Sequence, residues 1–341
     1  MAFAEQYRAQ VALLLRTIPF VAKETCFALK GGTAINLFVR DLPRLSVDID
    51  LTYLSVLPRE RSLPAIDKAM KRISARIAKA IPDAHITPSV HEGTVIKLVI
   101  RQGGAQIKIE VTPVLRGCAY EPELRTVSPS VEEEFGFAET TVVSFADLYA
   151  GKIVAALDRQ HPRDLFDARD LLAAEGITEE LREAFIVYLI SHNRPMSEVL
   201  SVRPKDIRQE FENNFDGMTA EPVSLESLLQ ARTDLAQAVV SEMPEKHRRF
   251  LVGFEAGEPD WSLLAVPDAH KLPAVKWRQI NFDKLSKNKR IANVRKLAEV
   301  LGVEVAPQQL TLFEVASKPK KKATKAEKKK APPKKKELYS D

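Results

Sequence analysis

The 341-residue sequence predicts an α+β protein: a mixed sheet with helices in the first half, a helical C-terminal domain, and a disordered lysine-rich tail. Three observations carry this. Up to about residue 145 the apolar periodicities run helix, strand, helix and then strands, the interleaving of an α+β domain. Beyond it, helical patterns follow one another. From Lys318 the chain turns to Lys, Pro and Ala with almost nothing apolar to bury, a composition that cannot offset the entropy of ordering.

Taken in order, residues 5–16 read as a helix, and Phe27-Ala28-Leu29-Lys30 leads into the glycine pair Gly31-Gly32. Residues 34–38 give a short helix. Residues 46–53 alternate as a strand, with Val47, Ile49 and Leu51 on the face opposite Asp48 and Asp50. Between 64 and 81, Ile66, Met70, Ile73 and Ile77 recur every three or four residues, which marks an amphipathic helix. Strands follow at 85–91, 95–100 and 106–112, and Gln102-Gly103-Gly104 supplies the hairpin turn between the last two. After Phe145, residues 146–159 form a helix, Pro162 opens the next through about Ala174, and Gly176 ends it. Further helices are expected at 178–191, 223–240, 244–255 and 287–301, with proline-broken connectors at 194–204 and 259–273. The resulting division is 1–175, 176–303, and a linker with tail over 304–341.

Apolar residues make up 45% and charged residues 28%, the balance of a soluble globular chain. No apolar run approaches the roughly 20 residues that cross a bilayer, so no membrane role is expected. Cys26 and Cys118 are isolated, with neither metal-ligand spacing nor a disulfide framework, which suits a reducing cytoplasm. The net charge of +5 is unevenly placed. Residues 318–341 hold eleven lysines against Glu327, Glu337 and Asp341, which is +8, and this leaves residues 1–317 at −3. Such a tail attracts phosphate backbones without sequence preference, or serves only solubility.

Asp48-Ile49-Asp50 places two carboxylates on one strand face, where they can share a metal site. A lone D-x-D is common on surfaces. The glycine turn upstream changes its meaning: Gly31 and Gly32 let backbone approach an anion, Thr33 adds a hydroxyl donor, and together with the acids they suggest nucleotidyl transfer. Nucleotidyl transfer spreads the charge that builds between an attacking hydroxyl and a leaving pyrophosphate. Paired Mg²⁺ ions held by carboxylates do this, because hard oxygen ligands suit Mg²⁺. A third acid is expected from a neighbouring strand. Ile107-Lys108-Ile109-Glu110-Val111 supplies Glu110, beside Lys108, although alone that pair reads as the wet face of a half-buried strand. Arg44 and Ser46 lie close enough to Asp48 to touch phosphate or merely to decorate a loop. On a helix over 146–159, Lys152 and Arg159 share a face, expected opposite the buried stripe, from which both could hold a triphosphate or a nucleic-acid backbone. In His161-Pro162-Arg163-Asp164-Leu165-Phe166-Asp167 the two aspartates lie one turn apart at a helix start, where a carboxylate can simply cap; His161 reads as a loop residue rather than a base.

Gly31-Gly32-Thr33, Arg44-Leu45-Ser46-Val47-Asp48-Ile49-Asp50-Leu51, the strand with Lys108 and Glu110, Lys152 with Arg159, and Arg163-Asp164-Leu165-Phe166-Asp167 together resemble the AbiEii/AbiGii-type nucleotidyltransferase toxins of type IV toxin–antitoxin systems. Asp260-Trp261-Ser262-Leu263-Leu264, Leu272 to Trp277 and Asn281 resemble the family's helical C-terminal part, so the likeness spans about residues 20–300. The resemblance implies a DNA polymerase β-like nucleotidyltransferase core, use of NTP and Mg²⁺, an RNA acceptor such as the acceptor end of tRNA, and a separately encoded antitoxin, a helix-turn-helix protein. It implies metal binding by Asp48 and Asp50, a phosphate grip by Gly32 and Thr33, and roles for Lys152 and for Asp164 in preference to Asp167. The lysine-rich tail departs from the family pattern. Two other readings use the same residues: transfer to a small antibiotic or a protein side chain, and a non-catalytic nucleotide- or nucleic-acid-binding domain of the same fold.

Overall fold

A computed structural model describes residues 5–304; the linker and tail expected beyond Glu304 lie outside the described residues. The chain opens with α1 (Glu5–Ala22), longer than its expected 5–16, because the buried stripe of Val11, Leu14, Ile18 and Val21 continues past Pro19 and offsets the amide hydrogen bond that proline cannot make. Strand β1 (Phe27–Lys30) ends at the glycine pair, and α2 (Gly31–Ala34) runs directly into a π-helical turn, Ile35–Val39. β2 (Asp48–Tyr53) follows, then α3 (Arg59–Ala80), β3 (His85–His91), β4 (Thr94–Gln102), β5 (Ala105–Arg116), β6 (Glu123–Thr126), α4 (Pro129–Phe135) and β7 (Glu139–Val142). Sequence periodicity places the other helices and strands up to β5 but not β1, β6, α4 or β7, which are four to seven residues long and too brief for a repeat to show.

The seven strands form one sheet in the order β3-β4-β5-β2-β1-β7-β6. It is mixed: β2 runs parallel to β5 and antiparallel to β1, while β1 runs parallel to β7. Alternation along the strands separates the faces. Ile49, Leu51, Leu98, Ile100, Ile107 and Ile109 are at most 1% exposed, and α1 and α3 pack over the sheet on that apolar side. Burying such a side chain stabilises the fold by about 1.5–3 kcal/mol, which fixes the strand register, since a one-residue slip would reverse the faces. The opposite face carries Asp48, Asp50, Lys108 and Glu110.

The rest is helical: α5 (Phe145–Asp158), α6 (Pro162–Ala174), α7 (Glu179–Ser191), α8 (Met196–Leu200), α9 (Arg208–Asn214), α10 (Leu225–Ala236), α11 (Glu245–Ala256), α12 (Pro273–Asp283) and α13 (Lys287–Leu301). Capping sets several boundaries. Ser144 accepts from the Asp147 amide, His161 from Arg163, Thr178 from Leu181, and Gly257 and Gly302 take the left-handed turn that closes α11 and α13. The short α8 and α9 and the whole of α12 replace what the sequence suggested were connectors or left without assignment. α12 was hidden because its buried residues, Ala274, Val275, Arg278 and Phe282, include a charged side chain. These helices do not stand apart from the sheet: α5 packs on α7, α6 on α10, and α12 on both α7 and β5. No helix among the described residues is long and apolar enough to cross a membrane.

Candidate active site

β1, β2, β5 and β4 bring four charged residues into one row. Lys30 pairs with Asp50, Asp50 with Glu110 and Glu110 with Lys97 in consecutive strand registers, so the four side chains leave the same face of the sheet. Two carboxylates are thus flanked by two ammonium groups. Asp48 sits one pleat away, opposite Lys108. Burial pushes the Asp50 carboxyl above its usual range, Asp48 and Glu110 push the same way, and Lys30 and Lys152 oppose them. Burial in turn lowers the Lys30 ammonium, which Asp50 partly restores. Glu110 is more open and its Oε1 meets Lys97 Nζ at 2.5 Å.

The glycine pair is required by close approach. Gly31 has φ +75°, and a Cβ there would lie 2.5 Å from Asp50 Oδ2. At Gly32 a Cβ would come within 2.9 Å of both Arg44 Nη2 and Ser46 Oγ. Thr33, expected to offer its hydroxyl to phosphate, is fully buried and uses it internally: Oγ1 donates to the Asp48 carbonyl at 2.5 Å and lies 3.1 Å from Ser46 Oγ. The geometry makes Thr33 and Ser46 a clamp that fixes the glycine turn to the head of β2.

Beneath the turn lies a charge network. Arg44 grips Asp167 through Nε to Oδ1 at 2.8 Å and Nη2 to Oδ2 at 2.6 Å, the bidentate arrangement that a guanidinium allows and an ammonium does not. Asn36, on the π turn, donates to Gly32 O at 2.9 Å and to Asp167 Oδ1 at 3.1 Å, so the turn and α6 are joined through one amide. Lys152 Nζ lies 2.7 Å from Asp164 and 2.9 Å from Asp167. Arg159 Nε meets Asp164 at 2.5 Å. Lys152 was expected on the wet side of its helix; it is instead 7% exposed, drawn inward by two aspartates that are each 1% exposed. Burial alone would raise Asp164, but Lys152 and Arg159 outweigh it and hold the carboxyl well below the usual range; Arg44 and Lys152 do the same for Asp167. Both aspartates are therefore anions that orient cations.

A cleft of about 270 Å³ opens between the sheet face and α5, lined among others by Lys30, Gly31, Gly32, Asp50, Lys152 and Arg159. Three cations and two glycines share these walls with Asp50, and with Asp147, whose carboxylate is taken up by the Ala119 and Tyr120 amides; such a lining suits a polyphosphate held next to a metal. The all-oxygen set of Asp48, Asp50 and Glu110 fits Mg²⁺ in donor chemistry, and a divalent ion would relieve the like-charge crowding at Asp50. Closing such an ion on all three would draw Glu110 off Lys97. Among the described residues, one trio of His, Cys, Asp or Glu has ligand atoms within 4.8 Å of one another: Glu179, Glu183 and His247, in the helical layer. Lys246 already bonds both glutamates there, and Glu183 accepts from the Ala265 amide at 2.8 Å, so this trio works as a tie between α7 and α11.

The sequence matches the family described as "Nucleotidyl transferase AbiEii toxin, Type IV TA system" over residues 12–277, more than three quarters of the chain. The chain belongs to the AbiEii nucleotidyltransferase toxin family. Among solved structures it resembles MenT4, a nucleotidyltransferase toxin from Mycobacterium tuberculosis, at 16% identity and a TM-score of 0.55, covering 81% of this chain and 93% of that one. No curated protein matches it. As an AbiEii nucleotidyltransferase toxin the protein is an enzyme with a separate antitoxin as partner. Lys30, Asn36 and the bidentate use of Arg44 were missed or undervalued in the sequence. The one visible signal for Lys30 was a charge ending an otherwise apolar strand.

Proposed function

We propose that this AbiEii toxin transfers a nucleotide from NTP to an RNA acceptor, with the acceptor end of tRNA as the target, in the cytoplasm, until a helix-turn-helix antitoxin neutralises it. The observation that carries the reading is the row Lys30–Asp50–Glu110–Lys97, in which Asp50, paired with Glu110 across the sheet, lies directly against the glycine turn at Gly31. Asp48, Asp50 and Glu110 would hold two Mg²⁺ ions, which when bound neutralise charge on the reacting phosphate and favour the ionised acceptor hydroxyl. Lys152, Arg159 and Lys30 bind the triphosphate and offset the charge of the departing pyrophosphate. Lys108 stands beside Asp48, where it adds positive charge at the edge of the same face. Asp164 and Asp167 keep Lys152, Arg159 and Arg44 aimed, and Thr33 with Ser46 holds the turn. The acceptor oxygen forms its bond to the α-phosphorus as the bond to the pyrophosphate oxygen breaks.

Labelled NTP and Mg²⁺ with purified full-length protein should label RNA. Asp48→Ala should abolish the label, a loss on the order of 10²–10³-fold or more, with the fold retained, because the backbone carbonyl of Asp48 and not its carboxylate anchors Thr33. Undiminished labelling by that variant would end the proposal. Acceptance by a small aminoglycoside-like molecule or a protein in place of RNA would favour the other acceptor classes.

A further inference from the structure

A second chamber, of about 540 Å³, lies next to the cleft just described; its walls include Thr112, Val114, Asn193, Trp277, Asn281 and Lys289. The two spaces adjoin, with Thr112, Leu115 and His192 lining both. The route follows β5: beyond Glu110 the pairing with β2 becomes irregular between Val111 and Arg116, and Thr112, Val114 and Leu115 of this stretch form one wall of the chamber. A group bonded at the carboxylates would place its continuation here.

The chamber's surfaces are of three kinds. Trp277 is 53% exposed, and among the described residues no other ring stacks on it; Lys284 Nζ sits 5.3 Å from its centroid. The side-chain amides of Asn193 and Asn281 hold no hydrogen bond among the described residues, and the Nε of Arg278, a lining residue 8% exposed, has no partner. The rim is cationic. Residues 271–290 contain seven Lys and Arg against Asp283 alone, whereas residues 1–317 as a whole are net negative. Lys276, Lys284, Lys287 and Lys289 are exposed and form no ion pair among the described residues. An open aromatic face, free amides and a basic rim form the combination that binds single-stranded nucleic acid: stacking for the base, cations for the backbone.

We propose that this chamber seats the single-stranded 3′ end of the RNA acceptor, with its terminal base stacked on Trp277 and its ribose hydroxyl directed along β5 toward Glu110. The assignment deepens the nucleotidyltransfer reading and rests on it. The basic rim favours a polyanion over a lone nucleotide, because NTP already has its phosphates matched by Lys30, Lys152 and Arg159.

The test uses full-length protein carrying Asp48→Ala, so that no transfer occurs during binding. In that background Trp261→Phe leaves Trp277 as the single tryptophan. A short single-stranded RNA with a free 3′ end should quench its fluorescence. Trp277→Ala should weaken RNA binding roughly 5- to 150-fold, leave NTP affinity unchanged, and leave the melting temperature unchanged; Trp277→Phe, which still stacks, should recover most of the loss. Unaltered RNA affinity in Trp277→Ala would overturn the proposal, as would a loss confined to NTP, which would assign the chamber to the base of the incoming nucleotide. The two levels fail separately. Transfer surviving Asp48→Ala would remove the catalytic reading, whereas transfer abolished by Asp48→Ala with normal RNA binding by Trp277→Ala would remove only the chamber.

Discussion

Gly31 is where single atoms decide most. Its backbone has φ +75°, which costs an L-residue on the order of 1–2 kcal/mol, and the position of its missing Cβ lies 2.5 Å from an oxygen of Asp50. Gly31→Ala must therefore either displace the Asp50 carboxylate or distort the turn. Either movement shifts a proposed metal ligand by more than catalytic geometry tolerates, where a misplacement of about 1 Å can cost 10²-fold. The expected outcome is a fall in kcat on the order of 10²-fold with a modest fall in melting temperature, read by single-turnover labelling beside a thermal melt. Activity within a factor of two of wild type would show that the approach of glycine to aspartate does not govern the chemistry. The pair Gly31-Gly32 was legible in the sequence as a place of close approach. What approaches was not: the sequence suggested phosphate alone, and the structure adds Asp50, Arg44 and Ser46. Contacts between side chains distant in sequence leave no trace in local spacing, which is why Thr33 was read as a ligand donor and proves to be an internal clamp.

Elements show the same division. Strands whose sequence alternates, such as β2 and the first part of β5, show their charged faces in the sequence, because burial of the apolar face imposes a period of two; that the β2 face is itself largely covered does not show there. Lys152 was misread because a helix buried on nearly all sides has no wet stripe, and a lysine inside it is tolerated only with acids brought by another helix. α3 was read from its stripe, but what docks its outer edge was invisible: Glu24, in the turn before β1, accepts from Arg72 at 2.9 Å and 2.6 Å and from Arg76 at 2.6 Å. Arg72 chiefly holds the Glu24 carboxyl below its usual value, against burial and with Arg76 assisting. The folded-state pKa is depressed, so the stabilisation is present above the unfolded value near 4.3 and is lost as pH falls through the lower folded value. Glu24→Gln should therefore destabilise the protein at neutral pH by about 1–2 kcal/mol, a modest cost because Arg72 is half exposed and screened. The gap between variant and wild type should narrow below about pH 4. Denaturant melts at neutral and acid pH measure this directly, and a gap that widens on acidification would refute the assignment.

At the scale of the whole molecule, charge is arranged against the average. Residues 1–317 are net −3, the acids of the sheet face occupy the centre, and positive charge is concentrated on 271–290 and, outside the described residues, on 318–341. An RNA approaching a net-negative body needs such concentrations, since counterion release at lysines supplies most of the non-specific affinity. Removal of residues 318–341 subtracts eleven lysines and should flatten the dependence of RNA affinity on salt. On single-stranded RNA the slope of log affinity against log salt should become shallower by about 0.7 for each phosphate that the tail neutralises. Because the Trp277 chamber and the carboxylate row are untouched, transfer at saturating RNA should proceed at the wild-type kcat, and only the RNA concentration needed to reach it should rise. Titrations of the truncated and full-length proteins between low and physiological salt separate the two contributions. An unchanged slope would mean that the tail touches no phosphate and that the rim of α12 and α13 alone supplies the attraction. A lower kcat at saturation would mean that the tail positions the acceptor as well as attracting it.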